Sequence, residues 1–405
     1  MRLATGLCLL MASLALYSQT ATFHEDTLHG RRAFVLENDR MRVSTLPGGG
    51  FIGEIRFKSP DPKKNVNPMR VPHYQTIDPY AYEIEKHGAL YGTGMQRRLM
   101  SGYMGHFLCF PSFGASSPSE FALDYGQHGE ALAVEWKQDK LETRKDGVTL
   151  VYSANLPKTQ FRVERTITLP ADETVGYVEE SVENMTMFSR PVQWVQHITF
   201  GPPFVALNKT FVDASVAKTL VMGRDEERPG ATQPAITAST WPESKDAQGR
   251  TVDQRVFSGR GGIWLLDKSK PKVWFTIYNA DYNVLLGYIF PSAQNLWVLD
   301  WQENMRVTEK PWDGKVVARG ICIGDSPFDG SGGLQGAVKT GSALDTPIFD
   351  WVQARERRSE TYAFFLAEVP LGYKGVADLR IGDGKITITE RETGKTISVK
   401  SARTF

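Results

Sequence analysis

The chain has 405 residues, with 47 basic and 46 acidic side chains and a formal net charge of +1. That balance, with no basic stripe, argues against nucleic acid as a partner. A hydrophobic content of 41% can build a substantial core, and the length suits one large all-β unit as well as two ordinary domains.

The N-terminus is set apart. Met1-Arg2 gives a short positive start, Leu3 to Tyr17 is an apolar run, and Ser18 to Ala21 is small and polar. This order reads as a secretory signal peptide, because the run is too short to anchor in a bilayer. The expected organisation is a leader over 1–21 and a single β domain over 22–405, exported to a periplasm or the exterior. No later stretch is apolar enough to span a membrane, so no membrane association is expected once the leader is removed. Only Cys109 and Cys322 then remain, enough for one disulfide and not for a disulfide framework.

Strand signals dominate the rest of the chain. Arg40 to Pro47 alternates and stops at Gly48-Gly49-Gly50, and "FIGEIRF" resumes the pattern. "VTLVYSANL", "FRVERTITL" and "GYVEESVEN" are period-two runs, succeeded by "GIWLLD", "KVWFTIYN", "NLWVLDW" and "KVVARGICIG". "KITITERETGKTISVK" closes the chain as a hairpin around Glu392 to Lys395. Helical periodicity is scarce; Pro347 to Val369 is the one stretch expected to begin helically. The polar, Pro- and Gly-rich segment from about Asp213 to Arg255 reads as an excursion, and Asp329 to Gly336 as a surface loop. The fold class expected is all-β, a large antiparallel β-sandwich.

The chemistry is narrowed by what is missing. The 7 histidines stand singly, without a His-x-x-x-His pair, and no Cys-x-x-Cys occurs, so no metal site is expected. There is no Gly-x-Ser-x-Gly elbow and no Walker loop, so no nucleotide or other cofactor is expected either. One residue stands out. His197 sits in "VQWVQHITFGPPF", where a strand that only filled a core would carry Val, Ile or Phe.

Three segments together resemble the galactose mutarotase-like superfamily, which includes the aldose 1-epimerases. Glu37 to Lys58 looks like that family's opening hairpin. Gly105 to Trp136, "GHFLCFPSFG" followed by "YGQHGEALAVEW", is similar to its substrate loop and His-Gly turn. Phe161 to Phe204 matches its run of strands, the Val-x-Asn turn, and a histidine after a Pro and aromatic strand. The resemblance implies a β-supersandwich with a sugar groove across one sheet. It implies His197 as the acid that protonates the ring oxygen and His128 as a histidine that positions the sugar or shares the proton transfer. Opening a cyclic hemiacetal needs one proton given and one removed, and histidine titrates in the right range.

The family's base is a glutamate on a late strand. In "VVARGICIGDSPF" that position holds Cys322, and a thiol with a reference pKa near ~8.5 is a poor carboxylate substitute. Asp300, Glu303 and Asp325 are the nearby carboxylates. Arg97, Arg98, His87 and His106 are further candidates for sugar contact. Trp297, Trp301 and Trp312 could stack on a pyranose ring, with Trp301 preferred. The partner expected is a sugar or oligosaccharide. The readings carried forward are an aldose 1-epimerase-like protein, a non-catalytic carbohydrate-binding protein, and a module related to glycoside hydrolases or lyases.

Overall fold

The computed structural model describes residues 20–220, 238–245, 250–327 and 332–403. The expected leader lies outside the described residues except for Thr20 and Ala21, as does the centre of the 213–255 excursion.

The alternating runs pair into two large antiparallel sheets. In the eleven-stranded sheet, Thr22–Leu28, Arg31–Glu37, Met41–Leu46 and Phe51–Phe57 lead in from one edge. His106–Cys109, Val195–Phe200, Val317–Gly324 and Trp297–Asn304 form its middle, and Gly262–Leu266, Val216–Leu220 and Ala238–Ser239 complete it. The eight-stranded sheet runs from Thr210–Ala214 through Arg357–Glu368 and Val175–Asn184 to Lys137–Arg144. Part of the 213–255 excursion is thus strand, extending the edge of the first sheet.

Side chains alternate across each sheet. Leu36, Ile55, Ile198 and Ile321 of the first sheet meet Val163, Val178, Ile277 and Leu286 of the second in one shared core. That interior also holds polar groups, the most deeply buried of them a charged pair. Arg165 and Glu180 form an ion pair at 2.6 Å with both side chains fully buried. Trp194 Nε1 and Gln196 Nε2 donate to the other Glu180 oxygen at 2.8 and 2.6 Å. Unpaired, such a charge would be strongly destabilising.

Each sheet also has a second covered face, which explains why its central strands are buried throughout. The outer face of the eight-stranded sheet packs Tyr177, Trp274, Ile289 and Phe365 against Leu379, Ile386, Ile388 and Val399 of a three-stranded C-terminal sheet. Two of those strands, Lys385–Glu390 and Thr396–Lys400, form the expected hairpin. The outer face of the eleven-stranded sheet is covered by chain excursions, with Leu99, Tyr103, Trp312, Ala337 and Ile348 packed on Val195, Leu299 and Cys322.

Two sequence expectations are corrected. The stretch Pro347 to Val369 is extended, forming Asp350–Val352 and Arg357–Glu368. Its Thr, Tyr and Phe residues suit a sheet, and Tyr362 and Phe364 fill the core. The glycine-rich segment becomes a short helix at Gly333–Thr340; Asp329 to Ser331 lie outside the described residues. Cys109 and Cys322 are both buried and form no disulfide with each other.

Candidate functional site

The outer face of the eleven-stranded sheet brings His197 and His128 together. In the strand Val195–Phe200, Ile198 and Phe200 point into the shared core, so Val195, His197 and Thr199 point outward. Register then defines two rows. Phe107, His197, Cys322 and Leu299 lie side by side on four adjacent strands. Thr199, Gly320 and Trp301 form the next row. Gly320 lets the two rings pack close over the strand: a Cβ there would stand 3.2 Å from both His197 Cε1 and a Trp301 ring carbon, tighter than ordinary contact.

The imidazole of His197 is boxed in. It stacks on Phe107 at 4.5 Å, meets His128 edge-on at 5.1 Å, and meets Tyr103 edge-on at 5.8 Å. Its Nδ1 lies 3.0 Å from Thr199 Oγ1, which in turn lies 3.0 Å from the Tyr103 hydroxyl. This His197–Thr199–Tyr103 chain can order its protons in either direction, leaving Nε2 as donor or acceptor. Burial holds His197 well below the ordinary histidine range, with His128, His106 and Arg70 adding repulsion. The ring is therefore neutral at neutral pH.

His128 is placed by backbone geometry. It sits in the left-handed region at φ 66°, followed by Gly129 at φ 84°, so the His-Gly pair is a tight turn. Its N–H donates to Gly114 O at 2.9 Å, and Gly114 N–H donates to its Nδ1 at 3.0 Å. The accepting Nδ1 puts the proton of the neutral ring on Nε2. Phe113 stacks on the ring at 5.3 Å, and burial lowers its pKa to about 3.

Two groups on the same face were not singled out by sequence. Arg70 lies over the Tyr103 ring at 4.3 Å, donates from Nη1 to Tyr103 O, and leaves a buried Nη2 with no partner. Its backbone is tied in by Arg70 N–H to Thr199 O at 2.8 Å and Gly105 N–H to Arg70 O at 3.0 Å. Tyr103 itself links Arg70, His197 and the indoles of Trp301 and Trp312, which lie 5.8 Å apart. Trp312 Nε1 is also buried without a partner. Buried donors without acceptors cost about 1–3 kcal/mol each, and a ligand oxygen would relieve them. Trp301 is half-buried and His73 exposed, so solvent reaches the cluster from this side. The sequence signal was weak: Arg70 sits between two prolines in "NPMRVPHY", with no periodicity around it.

The other sequence candidates fall elsewhere. His106, one residue before Phe107, points into the sandwich interior, where Nε2 lies 2.8 Å from Gln196 Oε1. Asp300 is also interior: both its oxygens accept from Arg319 at 2.9 Å, and Gln302 donates to it at 2.8 Å. Strand parity turns both away from the face that carries His197. Glu303 is on the outer face, but Oε1 accepts the backbone N–H groups of Arg306 and Val307, capping a turn. Arg97 and Arg98 pair with Asp124 at the periphery, and Arg97 lies over Phe121. His87 accepts from Glu83 N–H in a surface helix. Trp297 donates to Pro347 O, and Asp325 accepts from Trp194 N–H. His197, His128, Trp301, Trp312 and Cys322 are thus brought together; Arg97, His106, Asp300 and Glu303 are not.

No family model matches the sequence, and no curated protein does. Solved structures do match. A galactose mutarotase-like protein from Clostridium acetobutylicum superposes with TM-score 0.58 at 13% identity, over 86% of this chain and 99% of that one. The chain has the galactose mutarotase-like fold. A protein described as a candidate aldose 1-epimerase from Klebsiella pneumoniae gives TM-score 0.58 at 11% identity, over 86% of this chain and 83% of that one. A TPR-domain containing protein from Parabacteroides distasonis gives 0.55 at 12%, over 87% of this chain and 50% of that one. At such identities the likeness is one of fold, and the mutarotase-like fold hosts its chemistry only through the residues grafted on it.

Proposed function

We propose that the chain is an exported carbohydrate-binding protein that holds one sugar ring on the His197–Trp301 face without efficiently interconverting its anomers. One observation carries this reading: the outer-face neighbour of His197 on the next strand is Cys322, where the resemblance places a carboxylate base. The neutral histidines, the unpartnered Arg70 Nη2 and Trp312 Nε1, and the half-buried Trp301 face supply donors and a stacking surface. They suit hydroxyl recognition. Proton donation from an imidazolium is disfavoured, because burial keeps His197 uncharged. A hydrolase would need a second carboxylate across the ring, and neither Asp300, turned inward, nor Glu303, capping a turn, supplies it.

A second reading, a slow epimerase, is favoured by the His197–Thr199–Tyr103 proton chain, which could give and take protons without a carboxylate. A titration of the tryptophan fluorescence with glucose, galactose and their oligosaccharides tests the binding. Saturable quenching is expected in the wild type and not in His197→Ala. No response to any of these sugars would overturn the proposal.

A further inference from the structure

A cavity opens at one end of the same sheet, apart from the histidines. Its volume is about 450 Å³, in the range that holds a small ligand. Trp297, Phe349 and Trp351 give it aromatic walls, and Asp325, Asp350 and Gln294 line it as well. A narrow recess shares those three polar residues and reaches Trp194, Arg358 and Glu360. Register places it one row beyond the histidine: Val195, Gly324 and Trp297 are neighbours, two residues along from His197, Cys322 and Leu299. That offset is about 7 Å along the strands. None of its lining residues belongs to the His197 cluster.

Its charge is one-sided. Three carboxylates, Asp325, Asp350 and Glu360, line the cavity and its recess, against a single cation, Arg358. Arg358 is already engaged, with Nη1 2.7 Å from Asp350 and donating to Trp351 O at 3.0 Å. Glu360 takes hydrogen bonds from Asn295 at 3.0 Å and Gln196 at 3.2 Å. Asp325 accepts only a backbone N–H among the described residues, that of Trp194 at 2.9 Å, and forms no ion pair there. Burial pushes its carboxyl well above the usual range, and the Asp350 and Glu360 charges push it further. Among the described residues no cation pairs directly with Asp325, Arg358 being held by Asp350, and the same cavity offers indole and phenyl faces. Aromatic faces attract cations and cover the carbon body of a ring.

We propose that this cavity binds a ring-sized organic cation, its primary ammonium beside Asp325 and its ring against Trp297, Phe349 and Trp351. The site is independent of the sugar-binding face. Amino sugars and simple cyclic amines share this chemistry.

Isothermal titration of the full chain with glucosamine and cyclohexylamine, each against a neutral counterpart, N-acetylglucosamine and cyclohexanol, tests the assignment. Both amines are expected to bind at least about tenfold tighter than their counterparts. Preference for glucosamine alone assigns an amino sugar; preference for both shows that ring and ammonium suffice. Asp325→Asn should reduce the preference of both amines to within about twofold. Trp351→Ala, at a rim position 44% exposed, should weaken both amines without threatening the fold. Amines that bind no tighter than the neutral compounds would overturn the proposal. So would a preference that survives Asp325→Asn, or an amine affinity indifferent to Trp351→Ala.

Discussion

His197 and Cys322 stand directly opposite each other on adjacent antiparallel strands, with Phe107 flanking the histidine on its other side. In the proposed reading this pair stands where the resemblance implies an acid and a base, and it offers an uncharged imidazole and a buried thiol. If the thiol only fills space, Cys322→Ala should leave sugar affinity within about twofold and the anomer exchange rate unchanged. Fluorescence titration and polarimetry measure both. A fall in exchange rate would reveal Cys322 as a reactive group.

Gly320 separates His197 from Trp301, and a Cβ there would approach both rings at 3.2 Å. Gly320→Ala should push the two rings apart and disturb the surface on which the proposed sugar ring lies. We expect sugar affinity to fall by about tenfold or more, with stability lowered by no more than about 1–3 kcal/mol of overpacking. Unchanged affinity in a folded Gly320→Ala protein would place the sugar elsewhere.

Arg70 and Asp300 are both buried, yet they should respond oppositely to removal. Arg70 keeps one guanidinium nitrogen without a partner, so Arg70→Met should change stability by only about 1 kcal/mol while weakening sugar binding about tenfold or more. Asp300 is the counter-charge of fully buried Arg319, so Asp300→Asn should cost about 3–5 kcal/mol. Urea midpoints and sugar titrations separate the two effects.

Stability should fall steeply with acid. His106 and His128 have pKa values lowered to about 3 and His197 lies well below its ordinary 6.5, so the folded protein leaves all three neutral. The unfolded chain protonates them as pH drops through 6.5, which draws the equilibrium toward unfolding. Glu360 opposes this in part. Burial and the Glu180 charge raise it from 4.5 to about 7, so it favours folding at low pH and loses that contribution as pH rises from 4.5 through 7. Asp325, raised well above its usual range by burial, opposes it in the same sense, so the net slope is smaller than the three histidines alone would set. Urea midpoints across this range should show the slope, and His106→Gln should reduce it by about one proton. A flat profile would contradict the burial of these rings as neutral groups.

The sandwich was legible because its cause is local. Alternation in "FRVERTITL" and "KITITERETGKTISVK" maps directly onto paired strands. His197 and His128 were legible for a related reason: one interrupts an apolar strand, the other sits in a His-Gly turn. The face each side chain chooses was harder. His106 and Phe107 are neighbours, and only the parity of a four-residue strand sends one inward and the other beside His197. Asp300 and Trp301 divide in the same way, and the charge of Arg319 decides which is buried as a pair. Arg70 carried only a weak sequence signal, since its position depends on Tyr103 and Thr199, 33 and 129 positions away in the chain. The Pro347 to Val369 stretch misled because its charged and apolar residues fit either period until the sheet on both sides of it is known.

The most direct measurement is the proton NMR spectrum of freshly dissolved α-galactose with catalytic amounts of the wild type and of His197→Ala. Sugar resonances should be broadened by the wild type and not by the variant, with the anomers exchanging at the buffer rate in both. Exchange accelerated by the wild type and abolished in His197→Ala would contradict a binding role and make this face an acid/base active site.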